Sequence, residues 1–417
     1  MSILWESRFA LRTQWVTSSL IRELLKLTQK PEVISFAGGL PAAEYFPVER
    51  FQDACQRVLA NQAHQALQYS TTEGYPPLRE FIAERLCTQG VCVGPENVLI
   101  TSGSQQALSM LGALLINPGD RVLVEEPTYL GALQAFSLYQ ASYVGVPTDS
   151  DGICTEMLPE ALRHGPKFMY ILPNFQNPAG VTLSAERRIE LTRLAHEHGI
   201  PIVEDDPYGA LRFEGEDMRP LVAVDAELTG GVHEAYTGNV IVLGTFSKTL
   251  APGLRIAWIV APRQVIAKLT QIKQGLDLHT STFNQMVIYE AAKDGFIDEH
   301  VDRLRHVYRR RRDAMLAALD RYAPPEMTWT QPQGGLFLWL QLPAGVAERA
   351  AFDLAIEKNV AFVPGSAFFA RPDSPPTARL NFSCMDEERI VEGIRRLCGV
   401  IQDMQAKRNG DAPNRAE

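Results

Sequence analysis

Long apolar runs, disulfide spacing, metal-ligand spacing and nucleotide-loop fingerprints are all missing from this sequence of 417 residues. No stretch approaches the roughly 18 uninterrupted apolar residues of a membrane span. The opening MSILWESRFALRTQW has no apolar leader core, so a soluble cytoplasmic protein with no membrane partner is expected. Cysteine is scarce, and Cys55, Cys87, Cys92, Cys154, Cys384 and Cys398 form no CxxC and stand near no paired histidines. Neither a disulfide framework nor a zinc site is expected from them. Positive charge is in deficit, the formal net charge being -9. The one basic block, Arg309–Arg312, lies in a helical pattern and reads as a solvated face, which leaves nothing for nucleic acid to bind. GxGxxG and Walker loops are absent. So are the partner motifs that a Ser-Lys hydrolase needs, and its serine position is Thr245.

What is present is ordinary in bulk and specific in detail. With 46% hydrophobic and 21% charged residues the chain is globular, and its length exceeds what one core usually serves, so two domains are expected. Residues 1–45 read as an arm with a short helix near Ser19–Leu27. From 46 to 285, short apolar runs such as NVLIT, DRVLVEEP, KFMYILP, IPIVEDD, NVIVLGTFS and RIAWIVAP alternate with helical patterns. That alternation predicts an α/β domain, a mainly parallel sheet sandwiched by helices, with its site at the carboxyl ends of the strands. Residues 286–408 change character. A long helix at Ile297–Tyr322, several strands and a closing helix at Glu387–Met404 predict a smaller α+β domain, against which the arm packs. Residues 409–417 are expected to be a disordered tail.

Four strand ends carry polar clusters. In TSGSQQAL, residues 101–108, a strand gives way to Gly103, Ser104 and Gln105 at a helix start, where free N–H groups cradle an anion or simply cap the helix. PNFQNPAG, residues 173–180, holds Asn177 before Pro178, by itself a turn. EDDPYG, residues 204–209, ends an apolar run with Asp205 and Tyr208 and fits a metal pair or a plain loop. GTFSKTLAPGLRIAW, residues 244–258, sets Lys248 among Thr245, Ser247 and Arg255. A lysine there either adds charge or is a nucleophile whose pKa is lowered by cations and desolvation. A phosphorylated carbonyl cofactor needs both properties, an acid for a ring nitrogen and donors for a ring oxygen. Lys248, Asp205, Tyr208 and Asn177 meet those needs for pyridoxal 5'-phosphate.

Taken together with RLNFS from Arg379, these motifs resemble the fold-type I, pyridoxal-phosphate-dependent aminotransferases of class I/II over nearly the whole chain. SFAGGLPAAEYFP, ALQYSTTEGYPPLR and the Phe-Gln of PNFQNPAG are most similar to the 2-aminoadipate/kynurenine group and to the aminotransferase-like domain of MocR regulators. No basic winged-helix segment precedes the match, so a stand-alone enzyme is expected. The resemblance implies that Lys248 is the Schiff-base lysine, that Asp205 pairs with the ring nitrogen, and that Tyr208 and Asn177 bond the ring oxygen. Tyr129 stacks on the ring, while Ser104, Gln105, Thr245, Ser247 and Arg255 hold the phosphate. Tyr69 reaches the phosphate of the neighbouring subunit in a homodimer with shared sites. Arg379 and Asn177 take the substrate α-carboxylate, Gly39 allows close backbone approach, and Arg22 meets a distal carboxylate or is merely exposed. No metal is implied. The implied reaction moves an amino group from an L-amino acid to a 2-oxo acid such as 2-oxoglutarate, with ping-pong kinetics. A β-lyase, a decarboxylase and a ligand-sensing protein are the alternatives. Leu40, Tyr45 and Phe368 suggest tolerance of apolar substrate side chains.

Overall fold

The structure, a computed structural model, describes residues 3–15 and 32–410. The expected helix near Ser19–Leu27 and Arg22 lie outside the described residues. The first nine strands are Ile34–Ser35 (β1), Val98–Thr101 (β2), Arg121–Glu126 (β3), Ser142–Asp149 (β4), Gly152–Ile153 (β5), Phe168–Ile171 (β6), Ile202–Asp205 (β7), Val240–Thr245 (β8) and Ala257–Val260 (β9). Five more follow: Thr328–Trp329 (β10), Phe337–Gln341 (β11), Val360–Ala361 (β12), Val363–Pro364 (β13) and Thr377–Asn381 (β14).

Strands β2 to β9 form one sheet in the order β2-β9-β8-β7-β6-β3-β4-β5. Within it β4, β3, β6, β7 and β8 run parallel, as the alternating sequence predicts. Their side chains point alternately to two faces, and both faces are covered. On β6, Phe168 and Tyr170 enter one apolar layer, Met169 and Ile171 the other. That is why these strands read as unbroken apolar runs. The helices Ser104–Leu115, Leu130–Ser137 and Arg263–Leu276 close one face through Leu108, Met110, Phe136 and Leu269.

β9 departs from this, antiparallel to both β8 and β2, as does the short β5, antiparallel to β4. Residues 246–256 between β8 and β9 contain no helix long enough for a crossover, so the chain must turn straight back. The return brings Arg255 to the sheet edge at which Lys248 emerges. Chain order reverses around β3 and β6, and in such sheets the crevice beyond the carboxyl ends at that point is where ligands bind.

The second sheet, β10-β11-β14-β13, is antiparallel throughout, and β1 pairs in parallel with β12. Its apolar layer includes Leu338, Leu340, Ala378 and Leu380, packed under the helices Phe296–Tyr322 and Glu387–Gly410. The closing helix continues past Met404 to Gly410, since no Gly or Pro stands between them. One expectation is corrected here. Arg309 and Arg310 are solvated, but Arg311 and Arg312 are buried. Arg311 bonds the Ser383 carbonyl and Glu44, and Arg312 bonds Glu214 and the Pro332 carbonyl. A helix 27 residues long turns consecutive side chains by about 100°, so a run of four arginines cannot share one face.

Candidate active site

Lys248 follows the end of β8 by three residues, in a turn, with its side chain directed at the strap that precedes the first long helix. Its Nζ donates to the Gly39 carbonyl at 2.7 Å. Burial, together with the nearby Arg379 and Arg255 cations, pushes its pKa down to about 8, against a raising contribution from Cys384. The amine is therefore much closer to neutral than a surface lysine, which is what a proton-shuttling or nucleophilic role needs.

Asp205 ends β7 and is buried. One carboxylate oxygen, Oδ2, accepts from the Tyr170 hydroxyl at 2.6 Å. The other, Oδ1, has no hydrogen-bond partner among the described residues. Burial raises the pKa to about 7, Asp206 adds to the rise, and the Tyr170 bond opposes it. A cation with an N–H to give would satisfy Oδ1 and hold the group ionised. The neighbours in EDDPYG do other work. Glu204 accepts from the N–H groups of Leu221 and Val222 at 2.8 and 2.9 Å, closing a helix start, and Asp206 bonds Asn174 and the Gly209 N–H. Among the described residues no His/Cys/Asp/Glu group fits a metal ion.

Arg379 lies in the middle of β14, wholly buried. Nη1 donates to Asn177 Oδ1 at 2.8 Å and Nη2 to the Ala37 carbonyl at 2.7 Å. Its guanidinium stacks on Phe337 at 4.3 Å and Phe368 at 5.0 Å, and Nε has no partner among the described residues. Burial lowers its pKa to about 10. Among the described residues no carboxylate pairs with it. Buried charges are normally paired, so this one calls for an anion from outside the chain. Tyr208, buried and edge-on to Phe337 at 5.6 Å, hydrogen-bonds Asn177; burial raises its pKa, so it stays a donor.

Gly103 precedes the helix Ser104–Leu115 with φ +85°, and a Cβ there would collide with the end of the Arg255 side chain. Only glycine permits that backbone and that approach. Ser104 Oγ is buried without a partner among the described residues. Gln105 is exposed, its Nε2 donating to the Gly131 carbonyl at 3.0 Å. The Thr245 hydroxyl lies 2.9 Å from that of Ser247 and accepts the Ser247 N–H at 3.0 Å. Tyr129 stands at the start of the helix Leu130–Ser137, its ring over the space that a Cβ on Gly131 would fill.

Lys248, Asp205, Tyr208, Asn177 and Arg379 thus converge with the strap at Gly39, and Arg255 lies against Gly103. Tyr69 does not join them within one chain; it is 79% exposed, edge-on to His279. Phe368 is buried against Arg379 and Trp339, so it shapes the guanidinium rather than an open pocket. Two contributors escaped the sequence reading. Tyr170 and Phe337 sit inside apolar strand runs, and only register across the sheets reveals what they touch.

Residues 32–397 match the model of the family described as aminotransferase class I and II. The aromatic-amino-acid aminotransferase 1 of Thermococcus litoralis is 45% identical over 97% of this chain and 96% of its own. Among solved structures, the α-aminoadipate aminotransferase of Thermus thermophilus, complexed with N-(5'-phosphopyridoxyl)-L-leucine, superposes with a TM-score of 0.90 at 43% identity, covering 97% of this chain and 100% of that one. The kynurenine aminotransferase of Pyrococcus horikoshii also gives a TM-score of 0.90 at 43% identity, covering 96% and 98%.

Proposed function

This chain belongs to the class I and II aminotransferase family, and from that premise we propose that it transfers the amino group of a 2-aminoadipate, aromatic or aliphatic L-amino acid to a 2-oxo acid such as 2-oxoglutarate. It is a transaminase, and pyridoxal phosphate is its cofactor. The residues present fit that group. An Asp205 oxygen without a partner among the described residues suits a protonated ring nitrogen, and a Ser104 hydroxyl equally without one, next to the Gly103 that Arg255 packs against, suits a phosphate. Ser104, Gln105, Thr245, Ser247 and Arg255 would hold the phosphate, Tyr129 would pack against the ring, and Asn177 and Tyr208 would bond the ring oxygen. When bound, the cofactor supplies an aldehyde that reacts with amines and a ring that draws electrons away from the substrate Cα.

The chain's own part is to bind, orient and move protons. Arg379 takes the α-carboxylate in a two-pronged grip that lysine does not offer. Asn177 and the Phe337 face hold the guanidinium flat, so the substrate Cα is presented in one orientation. Lys248 Nζ would take the substrate Cα proton as a base and then, as the acid, deliver that proton to the cofactor carbon that receives the amino group. Asp205 would stay ionised by pairing with the protonated ring nitrogen. The observation that carries this reading is a buried guanidinium, with no carboxylate partner among the described residues, near enough to Lys248 that its charge adds to the burial that lowers that amine's pKa to about 8. We further propose a cytoplasmic homodimer in which Tyr69 serves the neighbouring subunit's phosphate. The test is a half-reaction panel of the common amino acids plus 2-aminoadipate and kynurenine, read by loss of the bound cofactor's visible absorbance. At least one dicarboxylic or aromatic donor is expected to bleach it, and no bleaching by any donor would refute the transfer.

A further inference from the structure

Asp205 is held by a residue to which the reaction scheme gives no part. Tyr170 is fully buried on β6, and its hydroxyl donates to Asp205 Oδ2 at 2.6 Å. The register explains the meeting. Tyr170 pairs with Val203 on β7, residues 203 and 205 point to the same face, and Asp205 therefore lies diagonally across from Tyr170, within reach of a long side chain. Phe136 stands edge-on to the Tyr170 ring at 5.7 Å, which fixes where the hydroxyl points. Oδ2 is thereby anchored, and Oδ1 is left without a partner.

A buried carboxylate with no donor tends to take up a proton and become neutral. A hydrogen bond donated to the charged form opposes this, and it also stops the carboxylate from rotating. We propose that Tyr170 is a positioning residue that keeps Asp205 ionised and turned so that Oδ1 meets the ring N–H of bound pyridoxal phosphate. The inference rests on the assignment of Asp205 made above. It makes tight binding of the ring nitrogen, specifically, depend on a hydroxyl that touches neither cofactor nor substrate.

The experiment compares two ligands of the cofactor-free protein: pyridoxal phosphate and its 1-deaza analogue, in which carbon replaces the ring nitrogen. Affinities are measured for the unaltered chain, for Tyr170→Phe and for Tyr170→Met, the second lacking the donor but filling the space with a flexible side chain. The unaltered chain is expected to prefer pyridoxal phosphate. Both variants are expected to lose about tenfold in affinity for it, the size of one charge-assisted hydrogen bond, while keeping the analogue's affinity within about twofold. Equal losses for both ligands, no loss for either, or failure of both variants to fold would overturn the proposal, since each makes Tyr170 a packing residue. If the unaltered chain failed to distinguish the ligands, the assignment of Asp205 itself would fall, and Tyr170 with it.

Discussion

Lys248 shows at the scale of a single residue that a site is assembled at the expense of stability. An ammonium with a lowered pKa is held in the fold against its preference for water. Folded, it titrates near 8 rather than at the ordinary 10.5. Between those values the unfolded chain binds more protons than the folded one, so the stability of the cofactor-free protein gains with rising pH from this group. Lys248→Met, measured by calorimetry without cofactor, is therefore expected to melt above the unaltered protein at pH 7, with the gap closing as pH rises from 8 towards 10.5. A gap that stayed constant would mean that the lysine is not desolvated. The other residues differ in how visible they are from sequence. Lys248, Arg255 and Asn177 stand in turns among small or polar neighbours, where a charged or amide side chain attracts notice. Tyr170 and Phe337 are apolar-looking members of strands, and their contacts with Asp205 and Arg379 are made to the neighbouring strand of the same sheet.

At the scale of elements, the antiparallel return of β9 and the glycine before the helix Ser104–Leu115 together bring Arg255 against a helix start, the proposed anion cradle. The mainly parallel sheet was legible from alternating runs and helices. The reversal at β9 was not, because its run RIAWIVAP looks like its parallel neighbours and only the short link at 246–256 distinguishes it. Arg311 and Arg312 were misread for a related reason: helical periodicity places them on the inner side, yet a run of like charges suggests solvent. Gly103→Ala tests the cradle. Its Cβ would meet Arg255, and the left-handed backbone strains any other residue by an order of 1–3 kcal/mol. The variant is expected to fold, to bind pyridoxal phosphate at least about tenfold more weakly, and to bind unphosphorylated pyridoxal almost as before. Equal weakening of both would place the fault outside the phosphate cradle.

At the scale of the whole molecule, the second sheet supplies Arg379 and the large sheet supplies Lys248 and Asp205, so the site exists only where the two meet. Tyr69 is exposed in the single chain, and with Leu67, Leu276 and Leu278 also exposed it is expected to be covered by a second copy. Sedimentation at micromolar concentration should give a dimer, and Tyr69→Ala should loosen the cofactor without dissolving that dimer. A fully active monomer would contradict the shared site.

The central claim is that the amine of Lys248 is what joins this chain to its cofactor, and the most direct test is chemical. Holoenzyme is reduced with borohydride, digested and weighed peptide by peptide. A phosphopyridoxyl mass on the peptide that contains Lys248, and lost in Lys248→Ala, is the predicted result. That mass on Lys273 or any other lysine, or on none, would contradict the account.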